Sequence, residues 1–120
     1  MQLNICRDQS LGIYSWAERK AAIAALVREQ QPDVICLQEI NPYDDAFNDI
    51  LGQLNNSYDK ATWTGDVYSG TLCNRGTTLF PDAEGDAIIY RTSTFALKSR
   101  GVFWLSNTPE KQSRMEVTIE

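Results

Sequence analysis

The first residue in this sequence whose type and position suggest chemistry is Glu39. It follows Gln38 at the end of a predicted strand whose apolar run, residues 34–37, is typical of a buried strand. It also precedes Asn41 and Pro42, a pair typical of a helix start. Folds that mix strands and helices place ligands at the carboxyl ends of strands, where a carboxylate can hold a hard cation such as Mg²⁺. From spacing alone, the simpler interpretation is better: Glu39 is a polar residue that follows a core strand.

Asn4 is the second candidate. It lies near the end of a short run in which Leu3 and Ile5 alternate with polar residues, as in the start of a strand. A side-chain amide in that position can ligate a metal or orient a phosphate oxygen. Spacing alone again favours the simpler alternative, which is an exposed position on a strand.

The elements that must position these two side chains can be predicted from the first half of the chain. Ser15 and Glu18 form an S-x-x-E capping box that opens a helix, and Pro32 ends it. A buried strand over residues 34–37 follows, and a second helix starts after it. That helix carries one apolar stripe, composed of Ala46, Phe47, Ile50, Leu51 and Leu54.

The second half of the chain is richer in predicted strands. Residues 65–85 contain several glycines and little periodicity, which favours a long loop. The predicted strands are residues 60–64, 87–90, 95–97, 102–105 and 115–119. Interleaved helices and strands followed by strands predict an α/β or α+β sandwich.

Bulk composition narrows the function classes. The chain has 120 residues, a single domain's length, and a net charge of −5. It has no basic cluster of the kind that general nucleic-acid binding requires. No run approaches the ~20 apolar residues of a membrane span, and no secretory signal is present. Two compartments are compatible with the sequence: the cytoplasm, or the exterior of the cell if a signal was removed on secretion.

The cysteines do not by themselves indicate a metal site or a disulfide. The 3 cysteines form no C-x-x-C pair. Cys36 lies in the buried strand and is expected to be a buried thiol, whereas pairing between Cys6 and Cys73 stays open. The chain has 0 histidines, which argues against a zinc site.

Four segments in this order resemble the endonuclease/exonuclease/phosphatase family. They are residues 1–5 with 15–19, the P-D-V-I-C-L-Q-E-I run at 32–40, A-I-I-Y-R at 87–91 with Phe95, and G-V-F-W-L-S-N-T-P at 101–109. The resemblance implies a four-layered α/β/β/α sandwich with two sheets packed face to face. This chain would supply about half of it, because domains of this family are roughly twice this length. We therefore expect residues 1–120 to be the N-terminal part of a single domain, truncated before its second half.

The resemblance also implies roles for four residues. Glu39 matches the family's metal-binding glutamate, with Mg²⁺ or alternatively Mn²⁺ as cofactor, and Asn4 matches an asparagine that arranges metal and phosphate. Glu84 matches a glutamate that orients a catalytic histidine, although a solvated loop acid explains it nearly as well. Arg114 matches an arginine that contacts substrate phosphate, and an exposed arginine at a strand end is an equal alternative.

The implied reaction is metal-dependent hydrolysis of a phosphoester by the complete protein. Negative charge favours a small phosphoester substrate over DNA. The family's later half supplies two histidines, an Asp-x-Asn pair and a final Asp-His, and this chain contains 0 histidines. We therefore expect these residues alone to be inactive. Two alternatives stay open: a non-catalytic binding domain that retains half of the fold, and an unrelated α/β domain.

Overall fold

The computed structural model describes residues 1–6, 14–40, 46–56, 67–73, 85–103 and 107–109. These residues form four strands and two helices. In chain order they are β1 (Gln2–Asn4), α1 (Trp16–Gln30), β2 (Val34–Ile40), α2 (Ala46–Asn56), β3 (Tyr68–Cys73) and β4 (Gly85–Arg91).

The four strands form one mixed sheet in the order β1-β2-β4-β3. β1 runs parallel to β2, and Asn4 lies beside Gln38 in that pairing. β4 is antiparallel to both of its neighbours, β2 and β3. The carboxyl ends of β1 and β2 therefore meet at the same edge of the sheet, which is where Asn4 and Glu39 were predicted to act.

One face of this sheet forms the core. Ile35 and Leu37 of β2 lie opposite Ile89 and Ala87 of β4, and all four are buried. Both helices contribute to the same core, with Ala24 and Val27 from α1 and Ala46, Ile50 and Leu54 from α2. The predicted α/β class is therefore confirmed as a mixed sheet whose core face packs against two helices.

Helix α1 begins at the capping box that its sequence predicts, whereas the predicted start of α2 at Asn41 and Pro42 lies outside the described residues. The Ser15 hydroxyl accepts the backbone N–H of Glu18, while the Glu18 carboxylate accepts the backbone N–H of Ser15. The Ser15 hydroxyl also donates to the Glu18 carboxylate at 2.7 Å. This bond first, and that from the Ser15 backbone N–H second, hold the pKa of the Glu18 carboxyl below its usual value. At the other end of α1, Gln31 adopts the left-handed conformation at φ 48° and its N–H donates to the Val27 carbonyl.

The prediction of a continuous loop over residues 65–85 is wrong, because β3 lies within it. β3 pairs with β4 along its whole length, and its inward positions are Tyr68, Gly70 and Leu72. Asn55 at the end of α2 fixes the start of β3: its amide oxygen accepts the N–H groups of Val67 and Tyr68 at 3.0 and 2.9 Å. Strand formation here depends on these tertiary contacts, which local periodicity does not reveal.

The strand predicted at residues 95–97 is also wrong. A turn at 92–94 follows β4, closed by N–H groups of Thr94 and Phe95 that donate to the Arg91 carbonyl. Residues 95–103 lie exposed and make no ladder with another described strand. The predicted strands at 60–64 and 115–119 lie outside the described residues, as do residues 104 and 105 of the strand predicted at 102–105.

Gly70 should be intolerant of any side chain. A Cβ at this position would lie 2.9 Å from the Ile88 carbonyl oxygen and 3.1 Å from Phe47 Cζ, so α2 or β4 would have to move. We expect Gly70→Ala to lower the free energy of unfolding by about 1–3 kcal/mol, measured by urea denaturation. Gly101→Ala is the matched control, since nothing lies within 4 Å of its Cβ. Equal stability of the two variants would contradict the packing described for β3.

Two further expectations can be compared with the fold. No helix among the described residues is long and apolar enough to cross a membrane. Cys36 in β2 is only half-buried, which corrects the expectation of a buried thiol, and pairing between Cys6 and Cys73 stays open.

Candidate active site

A β-bulge determines where Glu39 points. The pairing between β2 and β4 is regular from Val34 to Leu37 and then shifts, so that Ile40 lies opposite Gly85. Regular alternation after Leu37 would place Glu39 on the core face and Ile40 on the other. The bulge reverses the faces of these two residues: Ile40 is buried in the core, and the Glu39 carboxylate reaches Asn4. Bulges commonly re-aim a side chain beside a functional site.

The backbone at Glu39 is held in an uncommon conformation. Its φ is 56°, in the left-handed region that residues with a side chain rarely adopt. Holding a glutamate there costs on the order of 1 kcal/mol or more. Strain of this kind is found mainly where surrounding structure fixes a side chain for function, so the conformation itself supports a functional role for Glu39.

Asn4 contacts Glu39 directly. Its Nδ2 donates to Glu39 Oε1 at 2.6 Å, and its Oδ1 accepts the backbone N–H of Cys6 at 2.9 Å. The chemistry of the partners fixes this orientation of the amide: a backbone N–H can only donate and an ionised carboxylate can only accept. Asn4 therefore orients the Glu39 carboxylate in the arrangement that the structure shows.

The chain immediately after Asn4 is also held tightly. The Ile5 N–H donates to the Gln38 carbonyl at 3.1 Å, which continues the pairing of β1 with β2. Cys6 adopts a φ of 60°, a second left-handed residue beside the site. Arg19 of α1 donates from Nη1 to the Ile5 carbonyl at 2.8 Å. The turn that presents Asn4 is thus fixed from the sheet on one side and from α1 on the other.

The first turn of α1 is in turn anchored to α2. The guanidinium carbon of Arg19 lies 5.4 Å from the centre of the Trp16 ring. The Trp16 Nε1–H donates to Asp49 of α2 at 2.8 Å, and Lys20 forms an ion pair with the same carboxylate at 3.2 Å. These two hydrogen bonds, that of Trp16 first, lower the pKa of the Asp49 carboxyl.

The donor set at the site fits a hard, oxygen-seeking cation. The described residues supply no hydrogen bond to Glu39 Oε2, and Oε1 is held by Asn4. Mg²⁺ usually binds through one or two carboxylates, retains several waters and completes its shell with substrate phosphate, so a single oriented carboxylate suits it. Three or more His, Cys, Asp or Glu side chains do not come together anywhere in the described part of the chain.

Two of the four predicted site residues can be located. Asn4 and Glu39 come together at one sheet edge, although their roles toward metal and phosphate stay predictions. Glu84 and Arg114 lie outside the described residues. Sequence reasoning missed the support from Arg19. It also missed the bulge, although the sequence contains one signal for it. Strict alternation would place Glu39 on the same face as the apolar Ile35 and Leu37, and the apolar Ile40 on the opposite face.

The fold and the site define a class: an α/β protein with an oriented carboxylate at the carboxyl edge of parallel strands. The sequence pattern described as "Endonuclease/Exonuclease/phosphatase family" matches residues 1–109. The chain therefore belongs to this family, whose name covers hydrolases of phosphoester bonds.

Sequence relatives match over a short region. Nocturnin from Xenopus laevis is 49% identical over 39 residues, which are 32% of this chain and 10% of that protein. Human nocturnin is 44% identical over 39 residues, again 32% of this chain and 9% of that protein. The matched region thus spans about a tenth of the length of these relatives.

Solved structures match over most of the chain. An endonuclease/exonuclease/phosphatase protein from Bacteroides vulgatus has a TM-score of 0.66 at 19% identity, covering 91% of this chain and 37% of that one. A mannosyl-6-phosphatase from Bacteroides thetaiotaomicron has a TM-score of 0.62 at 23% identity, covering 91% and 38%. These likenesses support the same sandwich fold. The chain spans well under half the length of these structures.

Proposed function

We propose that the complete protein that carries this chain is a metal-dependent phosphoesterase, with Glu39 as a metal ligand. The observation that carries the proposal is the contact between Asn4 and Glu39, built by a bulge and two left-handed residues at the strand edge. Membership of a family named for nucleases and phosphatases agrees with it.

Each residue has a separable task in this proposal. Glu39 would hold Mg²⁺, while the hydrogen bond from Asn4 to Oε1 fixes the direction of the carboxylate. When bound, Mg²⁺ polarises a phosphoryl oxygen and stabilises charge on the leaving oxygen. The attacking water needs a general base, and family resemblance assigns that role to a histidine, which this chain lacks.

We infer a small phosphoester as the substrate in preference to DNA. The chain carries a net charge of −5, so a polyanion with many phosphates would meet repulsion outside the site. One of the similar structures is a mannosyl-6-phosphatase, a protein named for a small phosphorylated sugar. The same chemistry at the metal would serve a diester or a monoester.

Metal removal tests the proposal. We expect the complete protein to release nitrophenol from bis-p-nitrophenyl phosphate or p-nitrophenyl phosphate, to lose this activity in EDTA, and to recover it with Mg²⁺ or Mn²⁺. A single-stranded DNA oligonucleotide should be cleaved more slowly than the better nitrophenyl ester. Turnover that EDTA leaves unchanged would contradict metal dependence. Metal binding without turnover of any ester would instead favour a non-catalytic binding domain.

A further inference from the structure

A continuous series of contacts joins α2 to the Glu39 carboxylate, and Arg19 stands in its middle. On one side, its guanidinium group stacks near the Trp16 ring, which Asp49 of α2 anchors. On the other side, it donates to the Ile5 carbonyl at 2.8 Å. The next peptide N–H, that of Cys6, holds Asn4 Oδ1, and Asn4 Nδ2 holds Glu39.

We propose that Arg19 is a positioning residue for the metal site: by fixing the Ile5 carbonyl, it keeps Asn4 aimed at Glu39. This inference rests on the proposed function, because it assumes that Glu39 binds the metal. Arg19 itself would touch neither metal nor substrate.

The geometry explains why a contact outside the metal's own ligands should matter here. Asn4 is exposed, and the turn at Cys6 has a φ of 60°. A conformation of this kind persists only when its surroundings hold it in place. The Arg19 side chain is fixed in its turn, because it belongs to the first turn of a capped helix and lies near the Trp16 ring. A preorganised guanidinium group can therefore restrain the Ile5 carbonyl at little entropic cost.

Mg²⁺ affinity of the substrate-free complete protein, measured by titration calorimetry, tests the proposal. Outer-shell partners of metal ligands typically contribute 10- to 100-fold in affinity. We therefore expect Arg19→Met to raise the Mg²⁺ dissociation constant by about 10-fold. Arg19→Lys retains a donor that can reach the carbonyl, and it should recover most of the lost affinity.

Arg28 offers a matched control on the same helix. It also donates to a backbone carbonyl, that of Gln53 at 3.0 Å, but at the end of α1 far from the site. Arg28→Met removes the same atoms and should destabilise the fold to a similar degree without changing the Mg²⁺ dissociation constant. Equal losses of Mg²⁺ affinity in Arg19→Met and Arg28→Met would show a general effect of stability and overturn the proposal.

A double-mutant cycle tests whether Arg19 acts through Asn4. In an Asn4→Ala background, Arg19→Met should cause no further loss of Mg²⁺ affinity, because the side chain it positions is gone. A full additional loss would overturn the proposed route.

Glu39→Gln in the same experiment separates the positioning role of Arg19 from the proposed function. Mg²⁺ binding that depends on Glu39 but not on Arg19 would defeat the positioning role alone, whereas unchanged binding in Glu39→Gln would defeat the proposed function as well.

Discussion

Replacing Glu39 by glutamine should reduce the phosphoesterase activity of the complete protein by more than about 100-fold, which exceeds the usual cost of losing an outer-shell partner. A neutral amide cannot match a carboxylate as a ligand for a hard cation that dehydrates reluctantly. The free energy of unfolding should change little, because the side chain lies half-buried at a strand end and its neighbour Asn4 is exposed. The measurement is Mg²⁺-dependent release of nitrophenol, with urea denaturation of the same samples.

Two further variants sharpen this prediction. Glu39→Gly removes the ligand and relieves the left-handed strain at φ 56°, so it should also be inactive while unfolding no more easily than the parent protein. Glu29→Gln removes an exposed carboxylate of α1 and should have full activity. Activity near that of the parent protein in Glu39→Gln, with the same response to Mg²⁺, would remove Glu39 from the metal site.

The parts of the fold that sequence alone predicted correctly are those that depend on local physics. The capping box at Ser15 and the stripe on α2 each follow from residues a few positions apart, and the structure has both. The apolar run at residues 34–37 predicted a buried strand, and β2 contains it with Ile35 and Leu37 buried. Local signals of this kind do not require knowledge of which strands pair.

The parts that sequence alone missed depend on partners distant in the chain. β3 has only weak alternation of its own and forms because β4 and Asn55 hold it. Residues 95–97 form a short apolar run, yet they form no ladder in the described part of the fold. The candidate site shows the same division. The place of Glu39 after a buried strand made it a candidate, and the family resemblance gave it a predicted metal role. The bulge that directs its side chain exists only in the pairing with β4.

Arg91 is another residue whose importance only the structure reveals. It ends β4, at the opposite end of the sheet from Glu39, and its side chain is only 12% exposed. Its Nη2 donates to the Gln31 carbonyl at 2.7 Å and to the Tyr68 hydroxyl at 3.2 Å, and its Nε forms an ion pair with Asp33 at 3.1 Å. It thereby ties the end of α1 and the start of β2 to β3 and β4.

Arg91→Ala should therefore lower the free energy of unfolding by about 1–3 kcal/mol, since hydrogen bonds to the Gln31 carbonyl and the part-buried Tyr68 hydroxyl contribute about 1 kcal/mol each at most and packing is also lost. Asp33→Asn should cost less than about 1 kcal/mol, because Asp33 is 57% exposed and its ion pair is screened by solvent. Arg91→Lys should recover only part of the loss, since one ammonium group cannot serve these divergent acceptors together. Urea denaturation gives these free energies, and the Mg²⁺ dissociation constant of each folded variant should equal that of the parent protein. A loss of Mg²⁺ affinity in folded Arg91→Ala would mean that this end of the sheet is coupled to the Glu39 edge. An unchanged free energy of unfolding would show that the Arg91 contacts do not stabilise the packing of α1 on the sheet.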